Sequence, residues 1–506
     1  MKNYKSLQIP LAFLLIVFAM LACKQFTARP IVTPISPTTT KTVSTAVSTI
    51  VPVEPADANA GSPGLGDSLY PDFGNGGYDV THYTLDITVN DVAKSDLTAM
   101  TTIEAKATQN LSSFDLDFIG FEISDITVNG ETAKFSRKGQ ELTIHPLKSL
   151  AKNETFTVAV KYKGVPQVMQ SVALPVQTGW ITFDGGSYVL SEPDGSANYY
   201  PANDHPLDKA TYTFHVTVPK PWEVAANGNL TKTTDNGNTT TFVFETRDPM
   251  ASYLATIDID KFDTETMKSE NGIPIRNYYA TDLSLDVRKP FARQGEMLTY
   301  FSKLFGPYPF DVYGALIMNT DFGSALENQT MSIFGIDMID VKDVKTTELT
   351  VAHELAHQWF GDSVSVADWS DIWLNEGFAD YSEGLWIEHT DGRAALDEWV
   401  KSQYADIVKS PQFYPPPGSP PANNLFNEGV YVRGGLTLHA LRLEVGDETF
   451  FKILQTYFER YKGGNATTDD FIAVAQEVSG KDLKNLMDSW LYNEKLPSML
   501  ALGLGK

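Results

Sequence analysis

The run VAHELAHQWFGDSVSVADWSDIWLNEGFADY, residues 351–381, constrains the fold of this chain more than any other stretch. Residues 346–360 contain no helix breaker and are predicted to form one helix. His353 and His357 are then i,i+4 neighbours on one face, so their imidazoles can bind the same metal ion. The chain has only eight histidines, and the others are scattered singly, so this pair is the strongest metal-site signal.

The residues around this pair complete a pattern that is typical of a catalytic metal site. Gly361 is predicted to end the first helix, and a second helix that begins near Asp371 brings Glu376 beside it as a third ligand. Three protein ligands leave the fourth position of a tetrahedral zinc open to water. Glu354 lies next to the ligands, where its carboxylate can take a proton from that water.

HELAHQWFGDSV and, further along, WLNEGFADY resemble the aminopeptidase N family of gluzincin metallopeptidases. In that family the two histidines and the downstream glutamate hold zinc, and the glutamate of the pentamer is the general base. The resemblance therefore implies one Zn²⁺ per chain, with His353, His357 and Glu376 as its ligands and Glu354 as the base. It also implies peptide substrates that have a free N-terminus.

Two further segments resemble the family's binding site for the substrate amino group. SALEN, residues 324–328, stands where the family has Gly-x-Met-Glu-Asn, and it keeps the pair Glu327 and Asn328. Glu192 matches the second position of a family Gln-x-Glu pair, whereas Leu190 replaces the Gln. A carboxylate in a partly desolvated pocket can pair with a terminal ammonium, so we expect Glu327, helped by Glu192, to hold the substrate's N-terminus.

Two more residues are candidates through their place in the family motifs. Tyr431 begins Tyr431-Val432-Arg433-Gly434, which resembles the family's Tyr-x-Lys-Gly-like motif with Arg in place of Lys, and residues 430–446 are predicted to be helical. The resemblance implies that its hydroxyl, with an ordinary pKa of about 10, donates to the developing oxyanion. Asp380, i+4 from Glu376, is either a partner that orients a ligand histidine or an ordinary surface carboxylate.

The N-terminus is typical of a bacterial lipoprotein. Two lysines precede an apolar run at residues 9–22, which is too short for a membrane span and fits a signal peptide over residues 1–22. Cys23 is the only cysteine, and the Met-Leu-Ala before it resembles a lipobox. We therefore expect a lipidated Cys23 on an extracytoplasmic lipoprotein of the bacterial cell membrane; an ordinary signal peptide on a secreted protein is the alternative.

The rest of the chain divides into a tether and two folded domains. Residues 23–66, rich in Thr, Pro and Ser, are predicted to be a disordered tether. Residues 67–260 alternate apolar and polar side chains and predict an antiparallel all-β domain, a saddle or sandwich. Its predicted hairpin turns are Asn129-Gly130, Asn227-Gly228 and Asn236-Gly237.

Residues 261–500 mix strands with long helical segments, one of them predicted at residues 288–304. The resemblance implies a thermolysin-like α+β catalytic domain that is mainly α-helical. The predicted architecture is therefore multidomain, with a β domain followed by a zinc peptidase domain. We expect neither of the domains that roof the active site in larger members of the family.

The net charge of −24 argues against nucleic acid and anionic membrane surfaces as partners, so any membrane contact is expected through the lipid anchor alone. The predicted function is a zinc-dependent aminopeptidase that uses metal-activated water. A thermolysin-like endopeptidase and a non-catalytic surface binding lipoprotein of the same fold are the alternatives. The family also contains leukotriene hydrolase, but no residue pattern here favours an epoxide substrate.

Overall fold

The structure is a computed structural model that describes residues 59–505. The predicted signal peptide, Cys23 and most of the predicted tether therefore lie outside the described residues. Among residues 59–505, no helix has the length and apolar character that crossing a membrane requires.

The first domain is built from sixteen strands. In chain order they are β1 Tyr78–Asp91, β2 Asp96–Ala107, β3 Phe114–Asp117, β4 Glu122–Val128, β5 Glu131–Thr132, β6 Lys134–Lys138, β7 Glu141–His145, β8 Thr155–Gly164, β9 Met169–Gln170, β10 Gln177–Phe183, β11 Gly186–Leu190, β12 Thr211–Pro219, β13 Glu223–Ala226, β14 Asn229–Asp235, β15 Thr239–Glu245 and β16 Ile257–Asp260.

The strands form an eight-stranded sheet, a five-stranded sheet and a small three-stranded sheet. The large sheet has the order β14-β15-β12-β1-β2-β8-β4-β5. It contains β1, β8 and β12, which cover the three segments where apolar and polar residues alternate most clearly in the sequence, residues 82–90, 154–162 and 211–218. In β1 the apolar side chains are buried, and from Tyr83 to Val89 every second residue points into the core. One pairing departs from the antiparallel prediction: β1 and β12 are parallel, with His82 opposite Thr211.

Two of the three predicted hairpin turns are present. Asn129 and Gly130 both have positive φ, 52° and 80°, and they join β4 to β5. Asn236-Gly237 lies in the turn between β14 and β15. The prediction at Asn227-Gly228 is wrong, because the strands on either side, β13 and β14, belong to different sheets. The Asn227 amide there donates to the main-chain oxygens of Leu254 and Gln329, so this position joins the two domains.

The folded part of the chain begins earlier than the predicted tether boundary at residue 66. The amide of Gly61 donates to the oxygen of Ser113 at 2.9 Å, and Ala60 bridges to the same residue. Asp67 then accepts from the Trp369 amide of the second domain at 2.7 Å. The prediction failed here because main-chain hydrogen bonds order this segment, and such bonds leave no periodic apolar pattern in the sequence.

The second domain contains seven strands and eight α-helices. The strands are β17 Phe262–Lys268, β18 Pro274–Ala280, β19 Ala315–Met318, β20 Ala325–Leu326, β21 Ser332–Gly335, β22 Ser365–Val366 and β23 Asn465–Ala466. The helices are α1 Gln294–Phe305, α2 Val344–His357, α3 Trp373–Asp391, α4 Arg393–Lys409, α5 Gly434–Val445, α6 Asp447–Tyr461, α7 Thr468–Ser479 and α8 Lys484–Leu491.

A mixed five-stranded sheet in the order β17-β18-β19-β21-β20 packs near α2, and α2 packs along α3. The Asp343 side chain accepts from the Thr346 amide at 3.2 Å and caps the start of α2. The helix ends at His357 rather than at Gly361, which lies beyond it in a turn with φ of 136°. The helix predicted over residues 288–304 is shorter, because a 3₁₀ turn that contains Pro290 precedes α1.

Candidate active site

Helices α2 and α3 bring three ligand side chains together. The Glu376 carboxylate oxygen Oε2 lies 3.3 Å from His353 Nε2 and 3.5 Å from His357 Nε2. Zinc bonds of about 2.0–2.1 Å at tetrahedral angles separate two ligand atoms by about 3.3 Å, so these residues fit a zinc ion. The three side chains are almost completely buried, so little of their surface is in contact with water.

The other nitrogen of each imidazole is already hydrogen-bonded. His353 Nδ1 lies 3.0 Å from Glu383 Oε1, and His357 Nδ1 lies 3.1 Å from the main-chain oxygen of Phe360. These contacts fix the ring orientations and leave both Nε2 atoms directed toward Glu376. Sequence analysis missed Glu383, although it lies seven residues after Glu376, about two helical turns along the same face of α3.

Asp380 fits neither of its two predicted roles, a partner that orients a ligand histidine or a surface carboxylate. It is only 2% exposed, so it is not a surface carboxylate, and Glu383 rather than Asp380 makes the contact to His353. Asp380 instead faces α5: a Cβ atom built on Gly435 would lie 2.3 Å from Asp380 Oδ2. Burial, together with the nearby Glu383, raises the pKa of Asp380 well above its ordinary value.

Glu354 lies beside the candidate metal ligands. It is buried on α2, and its carboxylate lies in one group with Glu327 and His357, whose ligand-type atoms are all within 4.8 Å of one another. Burial raises the pKa of Glu354 to about 8, against the opposing effect of the two imidazoles. The side chain is therefore adjacent to the three metal ligands without being one of that set.

Glu327 and Glu192 come from different domains, and both lie beside the candidate metal ligands. Glu327 follows β20 at the edge of the mixed sheet, and Glu192 follows β11 of the β domain. One carboxylate oxygen of each is buried and has no hydrogen-bond partner within residues 59–505. Asn328 is fully buried; its amide nitrogen donates to Leu254 O at 3.0 Å, while its Oδ1 has no partner in the described structure.

Gln358, directly after α2, holds the Glu327 segment against the metal-binding helix. Its amide nitrogen donates to the main-chain oxygen of Glu327 at 2.8 Å, and its side-chain oxygen accepts from the Thr330 amide at 2.8 Å. Gln358 has no exposed surface. The position of Glu327 is thus tied to the same helix that carries both histidines.

Tyr431 faces the metal site from a π-helical turn, Gly429–Arg433, that precedes α5. Its ring lies nearly parallel to that of His353, with centroids 6.0 Å apart. Burial, followed by the charges of Glu376 and Glu192, raises the pKa of Tyr431 well above 10, so its hydroxyl remains a hydrogen-bond donor. The sequence predicted an ordinary helix here and did not predict the π turn.

Two family models match the chain: Peptidase M1 N-terminal domain over residues 79–254, and Peptidase family M1 domain over residues 291–490. The fold also matches the crystal structure of an M1 zinc metallopeptidase from Deinococcus radiodurans, with a TM-score of 0.79 and 32% sequence identity. That match covers 86% of this chain and 99% of the Deinococcus chain. The chain belongs to peptidase family M1.

Two relatives that are named as aminopeptidases are longer than this M1 chain. Human glutamyl aminopeptidase is 29% identical over 332 residues, which are 62% of this chain and 34% of the human protein. Aminopeptidase N of Streptomyces lividans is 26% identical over 424 residues, 78% of this chain and 48% of the Streptomyces protein. The chain therefore spans between about a third and a half of the length of these two relatives.

Membership in family M1 confirms the predicted family and the predicted two-domain fold, a β domain followed by a mainly helical one. It supports the predicted class of zinc metallopeptidase and implies a single catalytic zinc. Within residues 59–505, two overlapping groups of side chains could hold a metal ion: His353, His357 and Glu376, and Glu327, Glu354 and His357. The first group, on α2 and α3, has the ligand distances that suit zinc.

The interface of the two domains carries a buried lysine that sequence analysis missed. Lys209 of the β domain donates from Nζ to the main-chain oxygens of Asp362, Ser363 and Gly464, at 2.9, 3.0 and 2.9 Å. Asp362 and Ser363 lie in the turn that follows α2. Nothing in the sequence around Lys209 distinguishes it from a surface lysine, so only the structure reveals this contact.

Proposed function

We propose that this M1 chain is a zinc-dependent aminopeptidase that removes N-terminal residues from peptides. The observation that carries the proposal is the pair of buried carboxylates, Glu327 and Glu192, beside the metal ligands. Each has an oxygen without a hydrogen-bond partner, and neither forms an ion pair with a lysine or arginine among residues 59–505. A substrate ammonium would supply the missing positive charge and hydrogen-bond donors.

The relatives support an aminopeptidase on independent grounds. Both longer relatives are named for aminopeptidase activity. A variant of the Deinococcus enzyme, 31% identical to this chain, holds Tyr-Ser-Ala as its substrate. A short peptide of this kind is the substrate class that we propose here.

In the proposed reaction the carboxylates of Glu327 and Glu192 hold the substrate ammonium and so place the first peptide bond beside His353, His357 and Glu376. Zinc, when bound by those three residues, supplies a Lewis acid that polarises the carbonyl and acidifies water.

The remaining steps belong to two side chains of this chain. Glu354 takes the proton of the attacking water and then delivers it to the leaving amine. The Tyr431 hydroxyl donates to the carbonyl oxygen as negative charge develops there. The unpartnered Oδ1 of Asn328 can accept a hydrogen bond from the substrate's amino group.

The test compares free and blocked N-termini. The full chain is assayed on aminoacyl-aminomethylcoumarins, on their N-acetylated forms and on internally quenched peptides, after chelation and after addition of zinc. We expect zinc-restored release from the free amines only. In Glu327→Gln we expect kcat/KM for free amines to fall by about 10–100-fold, the effect of losing one charged hydrogen bond.

Other outcomes select the alternatives. Cleavage of blocked, internally quenched peptides at the rate of free ones would identify a thermolysin-like endopeptidase. Bound zinc with no cleavage of any substrate would identify a non-catalytic binding protein.

We also propose that Cys23 is lipidated and that the protein is an extracytoplasmic lipoprotein of the bacterial cell membrane. The support is in the sequence alone, in the apolar run at residues 9–22 and the lipobox-like Met-Leu-Ala before the cysteine. Expression in a bacterial host with a labelled fatty acid tests this. The label should enter the wild-type protein and be lost in Cys23→Ser; equal labelling of both would contradict the proposal.

A further inference from the structure

Arg433 lies in the same π turn as Tyr431 and two residues after it, but its side chain points away from the metal site. It is 1% exposed and is among the largest fully buried side chains in the described structure. Its Nε donates to Trp490 O at 2.8 Å, and Nη2 donates to Ser489 O at 3.4 Å and to Asn493 O. The guanidinium thus binds the C-terminal end of α8.

These contacts complete the hydrogen bonding of the last turn of α8. The last four carbonyls of a helix have no partner within the helix. Here Asp488 O accepts from the Tyr492 amide, and Leu491 O accepts from the Gly418 amide, both at 2.9 Å. The two carbonyls that remain, of Ser489 and Trp490, accept from Arg433. A cation at this end also interacts favourably with the helix dipole.

The main chain directly after the π turn, at Gly434, packs on helix α3. A Cβ atom built on Gly434 would lie 2.9 Å from Gly377 Cα, so the two main chains touch without intervening side chains. Gly377 directly follows the predicted zinc ligand Glu376. The turn that carries Tyr431 is therefore held between the ligand helix on one side and the end of α8 on the other.

We propose that Arg433 is a positioning residue for Tyr431, which it holds at the correct distance from the metal ligands by fixing the π turn to the C-terminal end of α8. The inference rests on the role of Tyr431 in the proposed function. Arg433 itself does not touch the substrate, so its effect on the reaction passes through the tyrosine.

We expect that a lysine at position 433 would not reproduce these three hydrogen bonds. The planar guanidinium donates to three carbonyls at once, whereas an ammonium is a point donor on a flexible stem. Burial lowers the pKa of Arg433 to about 10, so the group stays charged at neutral pH and keeps its interaction with the helix end. The motif that this segment resembles has a lysine at this position; in this chain the residue is Arg433, and its guanidinium binds the C-terminal end of α8.

A double-mutant cycle tests the inference, with kcat and KM measured on an aminoacyl-aminomethylcoumarin for the wild type, Arg433→Lys, Tyr431→Phe and the double variant. A displaced catalytic group costs up to about 100-fold, so we expect Arg433→Lys to lower kcat by about 10–100-fold with little change in KM. In the Tyr431→Phe background the same substitution should change kcat by less than about twofold, because the two effects are coupled.

The matched control is Arg442→Lys. Arg442 is 2% exposed and lies on α5, but it pairs with Glu388 and Asp447 rather than with α8. Its replacement should lower Tm and leave kcat unchanged. Zinc content and Tm are measured for every variant, and Arg433→Gln, which keeps a planar donor, replaces Arg433→Lys in the cycle if the latter does not fold.

Wild-type kcat in the Arg433 variant, or an equal loss of kcat with and without the Tyr431 hydroxyl, would overturn the inference while leaving the proposed function intact. Loss of zinc from the Arg433 variant would overturn it as well, because the arginine would then act on the metal site. Wild-type kcat in Tyr431→Phe would instead remove the proposed role of the tyrosine, and the inference would fall with it.

Discussion

The candidate metal site and the proposed substrate-amine site of this chain are built in different ways. The metal ligands come from two helices that are adjacent in sequence, and both histidines lie on one turn of α2. The amine site takes Glu192 from the β domain and Glu327 from the edge of the mixed sheet, and Tyr431 enters from a π turn. The first site depends on local helix geometry, whereas the second depends on the docking of domains.

This difference predicts where substitutions act. Changes near the metal ligands should act on zinc affinity or on the chemical step whatever the substrate. Changes in the amine site should act only on substrates that have a free N-terminus. The variants below test that division, beginning with the largest expected effect.

Glu354→Gln should cause the largest loss. Removal of a general base lowers kcat by about 10²–10⁴-fold, and the loss should be the same for all cleaved substrates. Zinc content, measured by atomic absorption, should stay at one ion per chain because Glu354 is not in the ligand set. Glu348→Gln on the same helix is the control, since Glu348 pairs with Arg293 away from the site. Loss of zinc from Glu354→Gln would contradict its assignment.

Glu383→Gln should weaken zinc binding rather than the chemical step. Substitution of a residue that orients a ligand histidine typically costs about 10–100-fold in metal affinity. Competition with a chelator measures that affinity. Asp380→Asn is the matched control, one turn earlier on α3 and without a contact to His353. An equal loss of zinc affinity in both variants would show that the affinity depends on buried negative charge and not on the contact to His353.

Glu192→Gln should lower kcat/KM by about tenfold for free-amine substrates, because one hydrogen bond to a charged group is weakened. The effect should be smaller than that of Glu327→Gln, since Glu327 is the more buried of the two carboxylates. Zinc affinity should not change. The control is Glu131→Gln, an exposed position of the same domain. A loss of zinc in Glu192→Gln would mean that the two sites are not separable.

Lys209→Met tests the docking of the two domains. It removes one hydrogen bond from each of three main-chain carbonyls, which keep a second donor in Ser365 Oγ, Gly463 N and Ser365 N respectively. A hydrogen bond to a charged group contributes about 1.5–3 kcal/mol to stability. Tm should therefore fall, with zinc content unchanged in the folded protein. Lys220→Met is the control, because Lys220 is exposed and pairs only with Asp235 in the same domain. An unchanged Tm in Lys209→Met would show that other contacts fix the interface.

The order of the two domains was predictable from the sequence, and so was the convergence of His353, His357 and Glu376. His353 and His357 converge because an α-helix has a fixed period, and the short link to α3 leaves Glu376 few places other than beside them. Two Asn-Gly turns were also predictable, because the backbone conformation of such a turn is set by its own residues. The hairpin predicted at Asn227-Gly228 was wrong, because an Asn-Gly dipeptide also occurs where the chain passes from one sheet to another.

Only the tertiary structure decided which of two acidic side chains orients His353. Asp380 and Glu383 are four and seven residues after Glu376, so both lie near its face of α3, and the helix period cannot choose between them. Asp380 packs against Gly435 of α5, whereas Glu383 contacts His353 of α2. The π turn under Tyr431, the contact of Arg433 with α8 and the Lys209 interface were likewise fixed by partners 50 or more residues away, and such partners leave no local pattern in the sequence.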